Sequence, residues 1–172
     1  MTLLSKDERY DEDSRGLLAD LLMSQHKMLA TAESCTGGLI AAACTGLAGS
    51  SRWFERGFVT YSNASKTELL GVDPVLIDTH GAVSEPVARA MARGAVARSA
   101  AQVSVAVTGI AGPDGGSADK PVGTVWFGFL VDGQLTSEQR VFPGDRAAVR
   151  GATVRHALGR LAALVAASPD RV

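Results

Sequence analysis

The apolar positions of this chain change period several times, and each change predicts a boundary between elements. Leu17, Leu18, Leu21, Leu22 and Gln25 share one helical stripe, which predicts a first helix over about residues 13–26. Residues 1–13 show no such stripe and read as a flexible polar leader. "KMLATAE" then gives a short buried strand. From Thr36, "GGLIAAACTGLAG" predicts a tightly packed helix of small residues ending near Gly46 or Gly49. "RGFVTYS" alternates as a strand does, and "NASKTELLGV" opens a helix with Ser62 or Asn63 as its cap. In "SEPVARAMARGAVARSAA" Ser84 is the expected cap, Glu85 suits the positive end of the helix dipole, and Pro86 is tolerated in the first turn.

The unbroken apolar run "VSVAVTGI" suits a central parallel strand covered on both faces. "TVWFGFLV" and "LTSEQRVF" flank Asp132-Gly133, a dipeptide that calls for a hairpin with a type I′ turn. From Asp145 onward Ala147, Val154, Leu158, Leu161 and Val165 form one stripe, the mark of an amphipathic closing helix. With no internal repeat and no linker, the expected architecture is a single α/β domain over residues 14–168. It is a three-layer α/β/α arrangement with a mixed, mostly parallel sheet and a C-terminal β-hairpin followed by the closing helix.

Composition narrows the classes of function. The chain has 172 residues, 46% hydrophobic and 20% charged, which fits an ordinary globular domain with a sizeable core. A formal net charge of −1 gives no electrostatic reason to expect nucleic acid as a partner. No apolar run approaches the ~18 residues of a membrane span, and the charged N-terminus lacks the apolar stretch of a signal peptide. The cytoplasm is the expected location, with no membrane partner. Cys35 and Cys44, if they share a helix, lie about 13 Å apart along its axis. That exceeds the ~7 Å Cα separation a disulfide allows, so they do not pair with each other. His26, His80 and His156 are scattered, and no zinc spacing occurs, so the sequence offers no metal-site signature.

The candidate chemistry centres on "TAESCTGG", where Ser34 sits between a predicted strand and a predicted helix. Backbone N–H groups of Cys35, Thr36, Gly37 and Gly38 at such a start can stabilise an oxyanion, and the glycines allow close approach of a ligand. The same position suits a plain helix cap, and the G-x-S-x-G elbow is absent, so on this stretch alone both readings stand. A serine needs a base. A triad with His156 has no local spacing to support it. "TYSNASK" offers more: Tyr61 ends a strand, and Lys66 lies in the first turns of the next helix. A buried lysine without a carboxylate partner loses its proton readily, and Tyr61 could relay or orient that proton; a solvated lysine and a core tyrosine are the plainer alternative. Cys35 is the rival nucleophile or a small buried side chain. "TGIAGPDGG", with Thr108, Gly109 and Gly112, resembles a phosphate or nucleotide loop without the P-loop ending. Arg146, at the start of the last helix, is a candidate anion contact, as are Arg52 and Arg56.

Five blocks in order, "TAESCTGG", "GSSRWFERGFVTYSNASK", "HGAVSEPVA", "TGIAGPDGGS..KPVGTVWFGF" and "GDRAAVR", resemble the family of the CinA C-terminal domain, whose stand-alone members are nicotinamide-nucleotide amidases. The resemblance runs from about residue 28 to the last helix. It does not extend to the molybdopterin-binding-like domain that precedes this one in longer members. It implies hydrolysis of the carboxamide of nicotinamide mononucleotide, in pyridine-nucleotide salvage, without metal or cofactor. By motif it maps a serine nucleophile onto Ser34 and its helpers onto Tyr61 and Lys66, and it makes Cys35 a bystander. Backbone groups near Thr36 and Gly37 are then expected at the oxyanion, and Thr108, Gly109, Gly112 and Arg146 at ribose and phosphate. Another amidase or esterase on the same site, or a non-catalytic nucleotide-binding module, are the competing readings. The small-residue helices and the hairpin edge also suit a dimer.

Overall fold

The computed structural model describes residues 6–168, with side chains from residue 13; the first five residues of the expected leader lie outside it. The elements, in order, are α1 (Lys6–Ser24), β1 (Leu29–Glu33), α2 (Leu39–Thr45), a 3₁₀ turn (Ser50–Arg52), β2 (Phe54–Val59), α3 (Asn63–Leu70), α4 (Pro74–His80), α5 (Glu85–Ala97), β3 (Val103–Gly109), β4 (Thr124–Val131), β5 (Gln134–Val141) and α6 (Arg146–Ala167). The sheet order is β2-β1-β3-β4-β5. β1 pairs in parallel with β2 and β3, while the β3–β4 and β4–β5 pairs are antiparallel. Only β4 therefore runs against the other four strands.

Side-chain alternation along β3 explains the layers. Val103, Val105 and Val107 face a core shared with Leu18 and Leu22 of α1, Ile40 and Cys44 of α2, and Leu158 and Leu161 of α6. Ala106 faces the opposite core, with Leu70, Ile77, Val87 and Met91 from α3, α4 and α5. Ser104 lies at 0% exposure and is satisfied there by donating to the Ala92 carbonyl at 2.7 Å. α5 packs close to the sheet because β4 offers Gly128, where a Cβ would lie 2.4 Å from the Ala88 carbonyl oxygen. No helix among the described residues is long and apolar enough to cross a membrane.

The hairpin forms as its dipeptide requires, with positive φ at both Asp132 (50°) and Gly133 (81°). Five local expectations need correction. α1 begins at Lys6, inside the expected leader, and Leu17 of its supposed core stripe is 53% exposed. α2 starts at Leu39 rather than Thr36, because Gly37 and Gly38 take left-handed conformations (φ 60° and 102°) that no helix turn contains. "NASKTELLGV" stops at Leu70, with Gly71 in the left-handed cap position, and a separate short helix follows. That helix, α4, is capped by Asp73 accepting from the Val75 N–H, with Pro74 as its first residue. Ser84 occupies the cap position of α5, but its hydroxyl donates to the Gly81 carbonyl instead of capping. The α6 stripe runs through Val149, not the exposed Ala147.

Candidate active site

Three parallel strands end on the same side of the sheet, and each delivers a piece of the site there. β1 ends at Glu33, and Ser34 follows, held to β3 by its N–H donating to the Val107 carbonyl at 3.1 Å. β2 ends at Val59. The next residue, Thr60, donates its N–H to the Glu33 carbonyl at 2.8 Å, which keeps the two chain ends abreast. Ser62 then caps α3 by accepting from the Ser65 N–H, and the first turn of that helix aims Lys66 back beneath the end of β1.

Lys66 is 1% exposed, and its Nζ lies 3.0 Å from Ser34 Oγ, 2.8 Å from the Thr60 carbonyl oxygen and 3.5 Å from that of Tyr61. No carboxylate pairs with it among the described residues. Burial pushes its pKa below the ordinary lysine value of 10.5, and nearby Cys35 opposes this more weakly. A neutral amine has two N–H donors and one lone pair. In that state the two carbonyls would take the donors, and the lone pair would face Ser34 Oγ.

The turn after Ser34 is built from both sides. The Gly37 N–H donates to the Ser34 carbonyl at 3.0 Å. Beneath it the Glu33 carboxylate, 1% exposed, accepts from the Thr36 hydroxyl (2.7 Å) and from the N–H groups of Ile40 (2.7 Å) and Ala41 (2.9 Å). An acid from the preceding strand thus satisfies the start of α2, whose cap residue, Gly38, has no side chain to do so. From the other side Arg150 of α6 donates Nε to the Cys35 carbonyl and Nη2 to the Thr36 carbonyl, both at 3.1 Å.

A cleft of about 290 Å³ opens over Ser34. Of the expected site residues it is lined by Ser34, Cys35, Tyr61, Lys66, Thr108, Gly109, Gly112 and Arg146. Thr36, Gly37 and Gly38 are not among its lining residues, and the Gly37 N–H is already spent within the turn. Tyr61 is not hydrogen-bonded to Ser34, and it meets Lys66 only through its carbonyl. Its phenol accepts from Arg146 Nη2 at 2.8 Å, while Arg146 Nη1 donates to the Gly112 carbonyl at 2.9 Å, so this pair spans the mouth. Thr108 spends its hydroxyl proton on the Ala82 carbonyl, which leaves it only as an acceptor toward a ligand. Burial raises the Cys35 thiol to about 11, its own backbone N–H countering only in part, so it stays protonated and a poor nucleophile. His156 is elsewhere, 2.6 Å from Glu138, and Arg52 and Arg56 do not line the cleft. No group of three or more His, Cys, Asp or Glu among the described residues is arranged to hold a metal ion.

Sequence reasoning missed Glu33, Arg150, Asn63 and Asp114, the last two of which line the cleft. Glu33 carried a signal: an acid that ends an apolar strand just ahead of a helix start is placed to cap it. Arg150 lies one turn beyond Arg146, on the same face of α6.

A family model described as the CinA C-terminal domain matches residues 11–165. A relative from Pseudomonas putida, named nicotinamide-nucleotide amidohydrolase PncC, is 56% identical over 144 residues, covering 84% of this chain and 90% of that protein. One of the same name from Enterobacter agglomerans is 62% identical over 120 residues, 69% of this chain and 73% of that protein. The crystal structure of the competence damage-inducible protein A from Klebsiella pneumoniae superposes with a TM-score of 0.89 at 36% identity, covering 92% of this chain and 99% of that one.

Proposed function

The chain belongs to the CinA C-terminal domain family, and from that premise we propose that it hydrolyses the carboxamide of nicotinamide mononucleotide to nicotinate mononucleotide and ammonia, as a step of pyridine-nucleotide salvage. The name shared by its relatives supports the substrate. The observation that carries the chemistry is the 3.0 Å contact between Ser34 Oγ and a buried Lys66 without an acidic partner.

Neutral Lys66 takes the Ser34 proton as Oγ attacks the carboxamide carbon, and the carbonyl oxygen becomes an oxyanion. The Thr36 N–H, which donates to no other group among the described residues, is the donor for that charge, a well-placed donor being worth about 3 kcal/mol. Collapse of the tetrahedral intermediate breaks the C–N bond, and Lys66 returns the proton to the leaving ammonia. Water, deprotonated by the same amine, then attacks the acyl-serine, and the proton goes back to Ser34 Oγ. Tyr61 assists through its carbonyl, one of the acceptors around Lys66, and through its phenol, which holds Arg146 over the mouth. Arg146 carries the only guanidinium that lines the cleft among the described residues and is the contact for the phosphate; Thr108, Gly109 and Gly112 form the wall for the ribose.

Ammonia release from nicotinamide mononucleotide, with free nicotinamide as control, tests this reading. Wild type turns over the nucleotide and ignores the free base, and Ser34→Ala loses about 10⁴-fold or more in kcat while still folding. Turnover by the alanine variant at the wild-type rate would remove Ser34 from the mechanism. A folded wild type that is silent on the nucleotide would remove the substrate.

A further inference from the structure

Arg150 has no role in the chemistry above, yet it makes two of the most specific contacts in the site. Its Nε and Nη2 reach, at 3.1 Å each, two consecutive carbonyl oxygens more than a hundred residues away in sequence. No carboxylate pairs with it among the described residues, so its charge is directed at those carbonyls alone. A planar guanidinium can span two such acceptors, whereas an ammonium is a point donor.

The two carbonyls belong to the turn that follows the nucleophile. The Cys35–Thr36 peptide is trans, since the only cis bond among the described residues is Gly112–Pro113. A trans peptide carries its C=O and N–H on opposite sides. Anchoring the Cys35 oxygen on α6 therefore turns the Thr36 N–H away from α6. That N–H donates to no group among the described residues, while its neighbour at Gly37 is used by the Ser34 carbonyl. A cation on the oxygen of a peptide also strengthens the N–H of the same peptide as a donor. Glu33 holds the same turn from beneath, through Thr36, Ile40 and Ala41, so Arg150 is not its sole support.

We propose that Arg150 is a positioning residue for the oxyanion site: by gripping the carbonyls of Cys35 and Thr36 it fixes and polarises the peptide whose Thr36 N–H receives the developing charge. The inference rests on the Ser34 reading above. It places a second function on α6, with Arg146 at the mouth of the cleft and Arg150, one turn on, behind the nucleophile.

The test uses Arg150→Ala and Arg150→Lys, with Arg155→Ala as a control on the same helix. Three readouts are taken: steady-state ammonia release from nicotinamide mononucleotide, acylation of Ser34 by p-nitrophenyl acetate, and thermal unfolding. For Arg150→Ala the expected result is a fall in kcat of about 10- to 100-fold with KM within about threefold of wild type, since only transition-state stabilisation is lost. Acylation slows in parallel, and added ethylguanidinium restores both rates where ethylammonium does not. Arg150→Lys keeps the charge, loses one carbonyl and falls between; it alone decides the matter if the alanine variant does not fold. The control matches wild type. A wild-type kcat in Arg150→Ala, an effect confined to KM, or a loss that ethylguanidinium does not relieve would overturn the proposal. If wild type acylates but releases no ammonia from the nucleotide, the substrate reading falls and the acylation rates decide the role of Arg150. A wild type that does not acylate overturns both.

Discussion

Exchanging Glu33 for glutamine alters one atom of the buried polar cluster and leaves its volume unchanged. Every group around the carboxylate is a donor: the Thr36 hydroxyl and Ile40 N–H at one oxygen, both 2.7 Å away, and the Ala41 N–H at the other, 2.9 Å away. The Thr31 hydroxyl lies at 3.5 Å from that second oxygen, the limit of a hydrogen bond. An amide can serve only one side. With its oxygen kept toward Thr36 and Ile40, its NH₂ faces the Ala41 N–H, donor against donor. One charge-assisted bond is lost, about 1.5–3 kcal/mol, and a buried N–H is left unsatisfied, about 1–3 kcal/mol. Easier burial of a neutral amide than of a charge offsets part of this. The expected net loss is about 3 kcal/mol, which for a domain of this size lowers Tm by roughly 6–12 °C. Because the cluster also sets the turn after Ser34, kcat falls while the protein is still folded at the assay temperature. Circular dichroism melts and ammonia release on the same preparation provide the measurement. A Tm within about 2 °C of wild type, well below the 6–12 °C worked out here, would refute the view that the carboxylate charge holds the start of α2.

The lowered pKa of Lys66 predicts a pH dependence of both activity and stability. If its neutral amine is the base, kcat/KM rises with pH through its lowered pKa and then levels, and Lys66→Arg, which cannot supply a neutral amine, is inactive at every pH. For stability the sign follows from proton binding: between the lowered folded pKa and the ordinary 10.5, the unfolded chain holds a proton that the folded one does not. Stability therefore rises with pH across that window and is lost as pH falls through the folded pKa. The urea-unfolding free energy of wild type minus that of Lys66→Met should rise as pH is raised toward 10.5, and a flat difference would mean the amine stays charged in the fold. Two helical glycines give opposite results. Gly16 has nothing within 4 Å of an added Cβ, so Gly16→Ala stabilises by about 1 kcal/mol. At Gly94 the Cβ would meet the Leu70 carbonyl oxygen at 2.1 Å, so Gly94→Ala destabilises by about 1–3 kcal/mol through displacement of α3. Equal Tm shifts of the same sign in the two would contradict the packing.

What could be read along the chain was what short-range physics decides. The Asp132-Gly133 hairpin, the Ser62 cap of α3 and the unbroken apolar run of β3 each carry their cause within a few residues. The start of α2 does not, because the group that satisfies its first N–H groups, Glu33, belongs to the strand before it, across a turn that only glycines allow. The short α4 was hidden behind α3, from which the left-handed Gly71, the Asp73 cap and Pro74 separate it.

The site follows the same division. Ser34, Tyr61 and Lys66 could be singled out by residue type and by a family resemblance, but the pairing of Lys66 with Ser34 rather than with solvent depends on β1 and β2 ending side by side, through the Thr60 to Glu33 hydrogen bond. Burial is what lowers the amine's pKa, and burial is a property of the assembled layers, not of "TYSNASK". Arg150 is the extreme case. Nothing near it in sequence marks it, since its partners lie 114 and 115 residues away and are backbone carbonyls, which every residue has. A side chain that acts on backbone leaves no complementary residue type to find. Two charged groups, Glu33 beneath the turn and Arg150 behind it, therefore hold the surroundings of Ser34 from elements that meet only in the fold. Neither touches the substrate in the mechanism proposed, which is why a search for nucleophiles and bases passes both over.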